Sequence, residues 1–164
     1  MTATRDDLAA FLDSLGIPTK TVFHAPLHTV EESRRLRGEI AGAHTKNLFL
    51  KDRKDALFLV VAREEAIIDL KQLHNRIGAS GRLSFGRPEL LLARLGVIPG
   101  AVTAFGLIND RPPEIDVILD AGLAAHDEVN CHPLVNTATT TIAFPGLVAF
   151  IRATGHEPRI LDIS

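Results

Sequence analysis

The sequence contains no tryptophan and no tyrosine, and aromatic residues make up only 5% of its 164 residues. Proteins that bind single-stranded nucleic acid without sequence preference stack the bases on aromatic side chains, so the composition argues against such a platform. A single cysteine, Cys131, excludes an internal disulfide and is typical of a reducing compartment. We therefore expect a cytoplasmic protein.

Long apolar runs are also missing. No stretch of about 18 apolar residues occurs, so we expect no transmembrane helix and no membrane partner. Residues 1–7 are polar and acidic and lack the apolar segment of a signal peptide. Hydrophobic residues still account for 46% of the chain, and the length predicts one domain over residues 1–164 with a sizeable core.

Metal-binding motifs are absent from the sequence. His24 and His28 have i,i+4 spacing, but Pro26 lies between them and breaks a helix. Neither a cysteine pair nor a His-Glu-x-x-His motif is present. We therefore expect neither a metal nor another cofactor.

Charge is distributed unevenly, although the net charge is only −2. From Ser33 to Arg94 there are thirteen Lys and Arg against seven Asp and Glu, whereas residues 101–164 contain three basic and eight acidic residues. A basic half can hold a phosphate backbone while an acidic half maintains solubility. The alternative is chance clustering of charge on solvated helices.

Periodicity predicts an α+β chain. Caps, first-turn prolines and apolar residues at helical spacing predict helices from Thr4 to Gly16, from Thr29 with Leu36 on the buried side, and over 67–77, 87–95 and 145–154. Apolar and β-branched runs predict strands over 20–24, 48–50, 56–62, 114–119, 128–135, 139–144 and 159–163. The strands cluster as hairpins, which favours a mixed, barrel-like sheet with helices around it.

The most informative segment runs from His44 to Asp52. Residues 48–50 and 56–62 predict a β-hairpin around the charged turn 51–55, and Lys46 and Asn47 come directly before its first strand. A side chain at that point leaves the core and meets a cleft. A lysine there can bind a phosphate or polarise a carbonyl, or it is only a solvated charge at a strand end.

Two further segments accompany Thr45-Lys46-Asn47: the glycine loop 96–106, GVIPGAVTAFG, and residues 127–136, DEVNCHPLVN. Their order and spacing resemble the YbaK/ProX family of aminoacyl-tRNA deacylases, which is related to the editing domain of bacterial prolyl-tRNA synthetase. The resemblance runs from about Leu8 to Ile163. The chain is most similar to the PrdX or ProXp-ala branch, which removes alanine wrongly attached to the tRNA for proline.

The resemblance implies a mostly antiparallel, curved sheet and hydrolysis of the ester between an amino acid and the terminal ribose of tRNA. It implies that Lys46 holds the 3′ end and that the loop at Gly100 and Ala101 offers backbone N–H groups to the oxyanion. A neighbouring ribose hydroxyl is expected to help activate the water. Relatives often carry proline where this chain has Ala104 and serine at position 101, so we expect a less rigid loop.

His132 follows Cys131 directly, which raises two possible chemistries. Adjacent strand residues point to opposite faces, so we expect no Cys–His dyad and a small, buried Cys131 rather than a nucleophile. A histidine with an ordinary pKa near 6.5 can accept a proton at cellular pH. We expect His132 to position the substrate ammonium or the water, or to shape the pocket floor.

RNA binding is expected at Asn47 and at the glycine-flanked segment 78–82, where Arg82 can reach a phosphate or a base edge, with Lys71 and Arg76 extending the contact. A solvated loop arginine is the alternative for Arg82. The expected partners are the acceptor end of tRNA for proline and, as a candidate, prolyl-tRNA synthetase, but not DNA. Two other functions stay open: a binding module without catalysis, and a deacylase of another mischarged tRNA such as cysteinyl-tRNA for proline.

Overall fold

The computed structural model describes residues 2–26, 31, 32, 35, 38 and 40–164. Its helices are α1 (Arg5–Ser14), α2 (Leu73–Ile77), α3 (Pro88–Leu95), α4 (Ala121–Ala124), α5 (Phe144–Ala153) and a 3₁₀ helix (Ala104–Asn109). Its strands are β1 (Thr19–Phe23), β2 (Ala43–Lys51), β3 (Leu57–Arg63), β4 (Ser84–Phe85), β5 (Ile115–Asp120), β6 (Glu128–Cys131), β7 (Ala138–Ala143) and β8 (Arg159–Leu161). Thr29 and Leu36 of the predicted second helix lie outside the described residues.

The strands form one mixed sheet in the order β1-β7-β6-β2-β3-β5-β8, and β4 pairs with β2 beside this path. The pairs β1–β7, β6–β7, β2–β3 and β2–β4 are antiparallel, and β2–β6, β3–β5 and β5–β8 are parallel. The predicted α+β class is confirmed. The sheet is not a closed barrel, because within the described ranges no pairing joins β1 to β8.

Helix α1 illustrates how local sequence determines structure in this chain. The hydroxyl of Thr4 accepts from the backbone N–H of Asp7, and the Asp7 carboxylate accepts from the Thr4 backbone N–H, which together form a capping box. Leu8 and Leu12 then lie on the buried side at i,i+4 spacing. The predicted helix is confirmed, and a left-handed Gly16 ends it.

Two apolar clusters lie on opposite faces of the central strands. Leu59 and Val61 of β3 belong to the larger cluster, which includes residues of α1, α3, α5 and the 3₁₀ helix. Phe58 and Val60 belong to the smaller cluster, which includes α2. Because β3 is covered on both faces, its sequence is almost continuously apolar, as is usual for a strand buried in a layered domain.

Three predicted elements differ in extent. The helix predicted over 67–77 is confined to α2, because the Asp69 carboxylate accepts from the Lys71 N–H and the preceding residues form a turn. The strand predicted over 128–135 ends at Cys131, since Pro133 cannot donate to a sheet. Strand β2 begins at Ala43, five residues before the predicted start.

The sequence analysis also missed short elements. These are β4, α4 and the 3₁₀ helix, which lies inside the segment read as a glycine loop. In the part of the chain that the structure describes, no helix has the length and apolar character needed to cross a bilayer.

Candidate active site

Strand β2 has an unpaired stretch of edge where the candidate site begins. One edge of β2 pairs with β3 along most of its length. On the other edge, Ala43 and His44 pair with β6, whereas Leu50 and Lys51 pair with β4. Between these points, residues 45–48 pair with no strand of the described ranges on this edge. The sheet therefore opens beside Lys46 and Asn47.

Polar side chains share one face of the sheet next to this opening. His44 pairs with Asn130, and Lys46 shares the face of His44 because side chains two residues apart on a strand point to the same side. His132 follows the end of β6 and lies close enough to His44 for that histidine to affect its pKa. Asn130 in turn pairs with Thr141. The pairing of β2 with β6 thus brings together His44 and Asn130, which are 86 positions apart in the sequence.

Asn130 ties this polar face to the chain that enters β2. It is 3% exposed, its amide nitrogen donates to the Ala41 carbonyl at 3.0 Å, and its amide oxygen accepts from the Thr141 hydroxyl at 2.5 Å. Gly42, with φ of +99°, passes so close that a Cβ there would lie 3.1 Å from the Asn130 amide nitrogen. Burial with both polar groups paired makes Asn130 a rigid support for β6.

Lys46 lies inside β2 rather than before it, which corrects the predicted position at a strand end. The strand extends further because Thr45 and Lys46 pair with Arg63 and Ala62 of β3. The Lys46 side chain is half-buried, and its ammonium donates to the carbonyl of Ala66. An ammonium has three N–H donors, so this bond fixes its direction while leaving donors for a ligand.

His132 follows β6 and is half-buried. Burial lowers its pKa below the usual 6.5, with contributions in the same direction from His24 and His44, while the Ala138 carbonyl and Glu64 act in the opposite direction. Its Nδ1 lies 3.3 Å from the Ala138 carbonyl oxygen, which can only accept, so Nδ1 carries the hydrogen. In the neutral ring Nε2 is then a hydrogen-bond acceptor.

Cys131 points away from this polar face. It is 3% exposed and belongs to the larger apolar cluster, and burial raises the pKa of its thiol to about 11. The Thr45 hydroxyl, which donates to the Asn130 carbonyl at 2.7 Å, lies 3.7 Å from its sulfur. A thiol with this pKa is protonated at neutral pH, so the prediction of a small buried residue is confirmed and a thiolate nucleophile is ruled out.

The two candidate N–H donors of the predicted glycine loop, those of Gly100 and Ala101, differ in whether they already have a hydrogen-bond acceptor. Gly100 is exposed with φ of +92°, a conformation that favours glycine, and no acceptor for its N–H lies among the described residues. Ala101 is 1% exposed, and its N–H donates to the Ile98 carbonyl at 3.0 Å. The Ala101 N–H is therefore engaged inside the loop, whereas the Gly100 N–H is the one that a ligand can reach.

The loop has a cap that compensates for the missing proline. The Thr103 hydroxyl accepts from the Phe105 N–H at 3.2 Å, and the Thr103 carbonyl accepts from Gly106 at 3.1 Å. Thr103 is thereby the N-cap of the 3₁₀ helix, and Ala104 is its first residue. Proline is favoured at a first helical position, which gives a physical reason for its use there.

Asn47 lies on the opposite face from Lys46, because the two are adjacent in β2. Its amide oxygen is buried and has no hydrogen-bond partner among the residues described. A buried acceptor without a partner is costly, so this position suits a donor supplied by a ligand or water. Binding of tRNA by Asn47 stays a prediction.

The predicted RNA-binding residues are only partly brought together. Lys71 and Arg82 line one cavity of about 500 Å³, which we call the basic cavity and whose other lining residues are Arg53, His74 and Gly81. Arg76 lies outside this lining, and its guanidinium donates to the Asp162 carbonyl at 3.0 Å. Arg76 thus holds α2 against the C-terminal segment.

Sequence reasoning missed several residues of the polar face. His24 Nε2 lies 2.8 Å from the Thr139 hydroxyl, and His44 and Glu64 are close enough to His132 to affect its pKa. No local motif marks these residues, since only pairing between distant strands brings them together. Among the described residues, no group of three or more His, Cys, Asp or Glu has a geometry that could hold a metal ion.

Known proteins are similar to this chain in sequence. Residues 24–150 match the family model of the aminoacyl-tRNA editing domain. The chain is 35% identical over 155 residues to the prolyl-tRNA editing protein ProX of Acetoanaerobium sticklandii, covering 94% of each chain. It is 38% identical over 160 residues to prolyl-tRNA synthetase associated domain-containing protein 1 of Danio rerio, covering 96% of this chain and 86% of that protein.

A solved structure extends the likeness to the fold. It is described as a candidate trans-editing enzyme for prolyl tRNA synthetase, and it matches with a TM-score of 0.72 at 20% identity over 100% of both chains. The present chain therefore belongs to the aminoacyl-tRNA editing domain family, as the resemblance to the YbaK/ProX deacylases predicted. It is an aminoacyl-tRNA deacylase of the editing-domain type.

Proposed function

We propose that this deacylase removes alanine that has been wrongly attached to the tRNA for proline, and that it leaves correctly charged prolyl-tRNA intact. The observation that supports the proposal is the position of Lys46 at the open edge of β2, on the face of His44, which in turn lies near His132. The substrate is the aminoacylated acceptor end, and the whole domain, residues 1–164, presents that site. Prolyl-tRNA synthetase is the proposed source of the mischarged substrate.

In this mechanism Lys46 positions the 3′ end. Its ammonium keeps one hydrogen bond to Ala66 and directs its other donors to the terminal phosphate or ribose. Fixing the ester relative to the attacking water removes orientational freedom before the reaction, and such positioning can change rates by about 100-fold or more. The cation is a positioning group and takes up no proton during the reaction.

Hydrolysis then needs a water, an acceptor for its proton and a donor for the oxyanion. The oxygen of water attacks the ester carbonyl carbon, the bond from that carbon to the ribose oxygen breaks, and the ribose oxygen receives a proton. Neutral His132 offers Nε2 as an acceptor that orients the water or the substrate ammonium. The Gly100 N–H is the proposed oxyanion donor, and the ribose hydroxyl beside the ester helps to activate the water.

Selectivity is proposed to come from the size of the acyl pocket. The apolar candidates for its lining are Leu48, Phe49 and the loop at Ala101. Leu48 shares the face of Lys46, whereas Phe49, adjacent to it in β2, packs in the larger apolar cluster with Ala101, so Leu48 is the candidate beside Lys46. A pocket that just fits a methyl group excludes the proline ring by steric clash. A larger pocket would distinguish the bigger side chain from the smaller one only by the contacts that the smaller one lacks, which are worth about 1–3 kcal/mol per methylene. Alanine is therefore a better match than proline.

The proposal is tested by incubating the purified protein with a panel of charged tRNAs and measuring release of the amino acid. The panel contains alanyl-, cysteinyl- and prolyl-tRNA for proline, together with alanyl-tRNA for alanine. We expect rapid release from alanyl-tRNA for proline and at least tenfold slower release from the other three. Preferred release of cysteine would make the protein a deacylase of a different acyl group, and release from none of them would indicate a binding module.

A further inference from the structure

We propose that His24 is a positioning residue of the hydrolytic site, which acts by fixing the start of β7 and thereby the ring of His132. This inference rests on the proposed function for the role of His132. His24 follows β1 directly and is half-buried. Both of its ring nitrogens have hydrogen-bond partners within the protein, the Ala25 carbonyl and the Thr139 hydroxyl. We therefore expect His24 to act through His132 and not by contact with the ester.

The first argument is a pair of hydrogen bonds on either side of Ala138. The backbone N–H of His24 donates to the Thr137 carbonyl at 2.9 Å, and its Nε2 lies 2.8 Å from the Thr139 hydroxyl. Between these two residues, the Ala138 carbonyl accepts from Nδ1 of His132 at 3.3 Å. His24 therefore holds both neighbours of the carbonyl that orients the His132 ring.

The hydrogen bonds of His24 also assign the direction of its contact with Thr139. Nδ1 of His24 lies 2.9 Å from the Ala25 carbonyl oxygen, which can only accept, so Nδ1 carries the hydrogen. In the neutral ring Nε2 is then an acceptor, and the Thr139 hydroxyl donates to it. Thr139 is only 5% exposed, and a buried hydroxyl that loses its acceptor is costly. This bond therefore restrains the start of β7.

The second argument is that the loop between β6 and β7 needs support at its far end. The loop runs over residues 132–137, and Leu134 within it has φ of +71°, in the left-handed region that favours glycine. A leucine in that conformation is strained, and the surrounding contacts must maintain it. The Leu134 N–H donates to the His132 carbonyl at 3.0 Å, so the strained turn directly follows the histidine. The bond from His24 to Thr137 restrains the other end of this loop.

The third argument is electrostatic. Burial is the main cause that lowers the pKa of His132 below its usual value, and the charges of His24 and His44 lower it further. The Ala138 carbonyl and Glu64 act in the opposite direction. His24 follows β1, His44 lies in β2 and Glu64 follows β3, so three strands contribute to the surroundings of His132. A proton on His24 repels a second proton on His132, which keeps Nε2 of His132 available as an acceptor.

The test reads the ring of His132 directly and needs no substrate. Nitrogen-15 NMR distinguishes a neutral imidazole with its hydrogen on Nδ1 from one with its hydrogen on Nε2, and the spectrum of His132→Gln assigns the resonances. Two variants, His24→Leu and Thr139→Val, remove the same hydrogen bond from its two sides. Thr139→Val changes little in shape, so it provides the measurement even if His24→Leu does not fold. Thermal unfolding verifies the fold of each variant.

Two control variants accompany them. His24→Gln keeps a side chain that can bond to the Thr139 hydroxyl but carries no charge. His126→Gln replaces an exposed histidine that precedes β6, at the opposite end of that strand from His132. The first control separates the hydrogen bond of His24 from its charge, and the second measures the effect of losing a distant histidine.

At pH 7 we expect the wild type and both controls to hold the His132 hydrogen on Nδ1, because the Ala138 carbonyl stays in place. His24→Leu and Thr139→Val should give a mixture of the two neutral forms and release alanine from alanyl-tRNA for proline about tenfold more slowly. In His24→Gln the His132 ring should take up its proton at a higher pH than in the wild type, since the repelling charge is absent.

The Nδ1 form alone in either folded variant, His24→Leu or Thr139→Val, would overturn the proposal, since each lacks the bond that restrains β7. A mixture of forms in His126→Gln would overturn it as well, because the effect would not be specific to His24. The position of the hydrogen on His132 is measured without substrate. Failure of the proposed function, which shows as no alanine release by the wild type, is therefore seen separately.

Discussion

The imidazole of His156 lies 2.8 Å from the carboxylate of Asp110, and both side chains are buried. The guanidinium of Arg94 contacts the same carboxylate from α3, and two backbone N–H groups at the start of β5 donate to it at 2.9 Å. Arg94 precedes the glycine loop and Asp110 follows the 3₁₀ helix. The carboxylate therefore closes the base of the segment that carries the proposed oxyanion donor.

Replacing this carboxylate should destabilise the fold strongly. We expect Asp110→Asn to lower the free energy of unfolding by about 3 kcal/mol, because it leaves Arg94 and His156 without their shared anion. Asp116→Asn is the matched control, since Asp116 pairs with Arg159 at the surface, and it should cost no more than about 1 kcal/mol. Urea unfolding of the two variants checks this, and equal losses would contradict the assigned role.

The same carboxylate predicts a pH dependence of stability. Burial raises the pKa of Asp110, but the hydrogen bonds from His156, the two backbone N–H groups and Arg94 outweigh it and hold the pKa at about 2. An unfolded aspartate titrates near 3.9, so the stabilisation is complete above about pH 4 and is lost as the pH falls towards 2. In Asp110→Asn the acid loss of stability over this window should be smaller, as measured by urea unfolding at several pH values.

The 3₁₀ helix offers a stabilising substitution. Thr103 has φ of −156° and ψ of 148°, which is compatible with a following proline, and Ala104 is the first helical residue. We expect Ala104→Pro to raise the free energy of unfolding by about 0.4–1 kcal/mol, because proline restricts the unfolded chain. Ala101→Pro is the control, since it removes the N–H that donates to Ile98, and it should destabilise. A loss of stability in Ala104→Pro would show that the buried site lacks room for the ring.

Local patterns were sufficient for much of the fold. The capping box at Thr4, the apolar runs of the β2–β3 hairpin and the first-turn proline of α3 each predicted an element that the structure contains. These signals act within a few residues, so they are readable from the sequence. The turn at Asp69 was missed because its side chain competes with the helix that the apolar spacing suggested.

The site depended on contacts that a linear pattern does not show. The first half of β2 is polar, and its strand character comes from pairing with β3 and β6 rather than from apolar alternation. The same pairing places His44 next to Asn130, and His44 therefore lies near His132, two residues further along the chain from Asn130. The basic cavity required Arg53 and Arg82 to meet, and Asp52 achieves this by bonding two separate loops.

The protonation of His132 predicts the acid limb of the deacylation rate. Burial lowers its pKa below 6.5, so the ring is neutral at pH 7 and Nε2 can accept a hydrogen bond. After subtraction of spontaneous ester hydrolysis, kcat/KM should be independent of this group above pH 6.5 and should fall at lower pH as the ring is protonated. His132→Gln should lack that fall and react at least tenfold more slowly at pH 7. An unchanged acid limb in His132→Gln would assign it to another group.

Lys46 provides the most direct measurement of the central claim, the hydrolysis of alanyl-tRNA for proline at the open edge of β2. Single-turnover release of alanine at saturating enzyme is compared for wild type, Lys46→Met and the control Lys51→Met, whose lysine lies on the same strand and pairs with Asp55. We predict wild-type release in the control and about 100-fold slower release in Lys46→Met. The melting temperature of Lys46→Met should fall by only a few degrees, because this variant loses one hydrogen bond, the one from Lys46 to Ala66. Wild-type release by folded Lys46→Met, or no release by the wild type, would contradict the account.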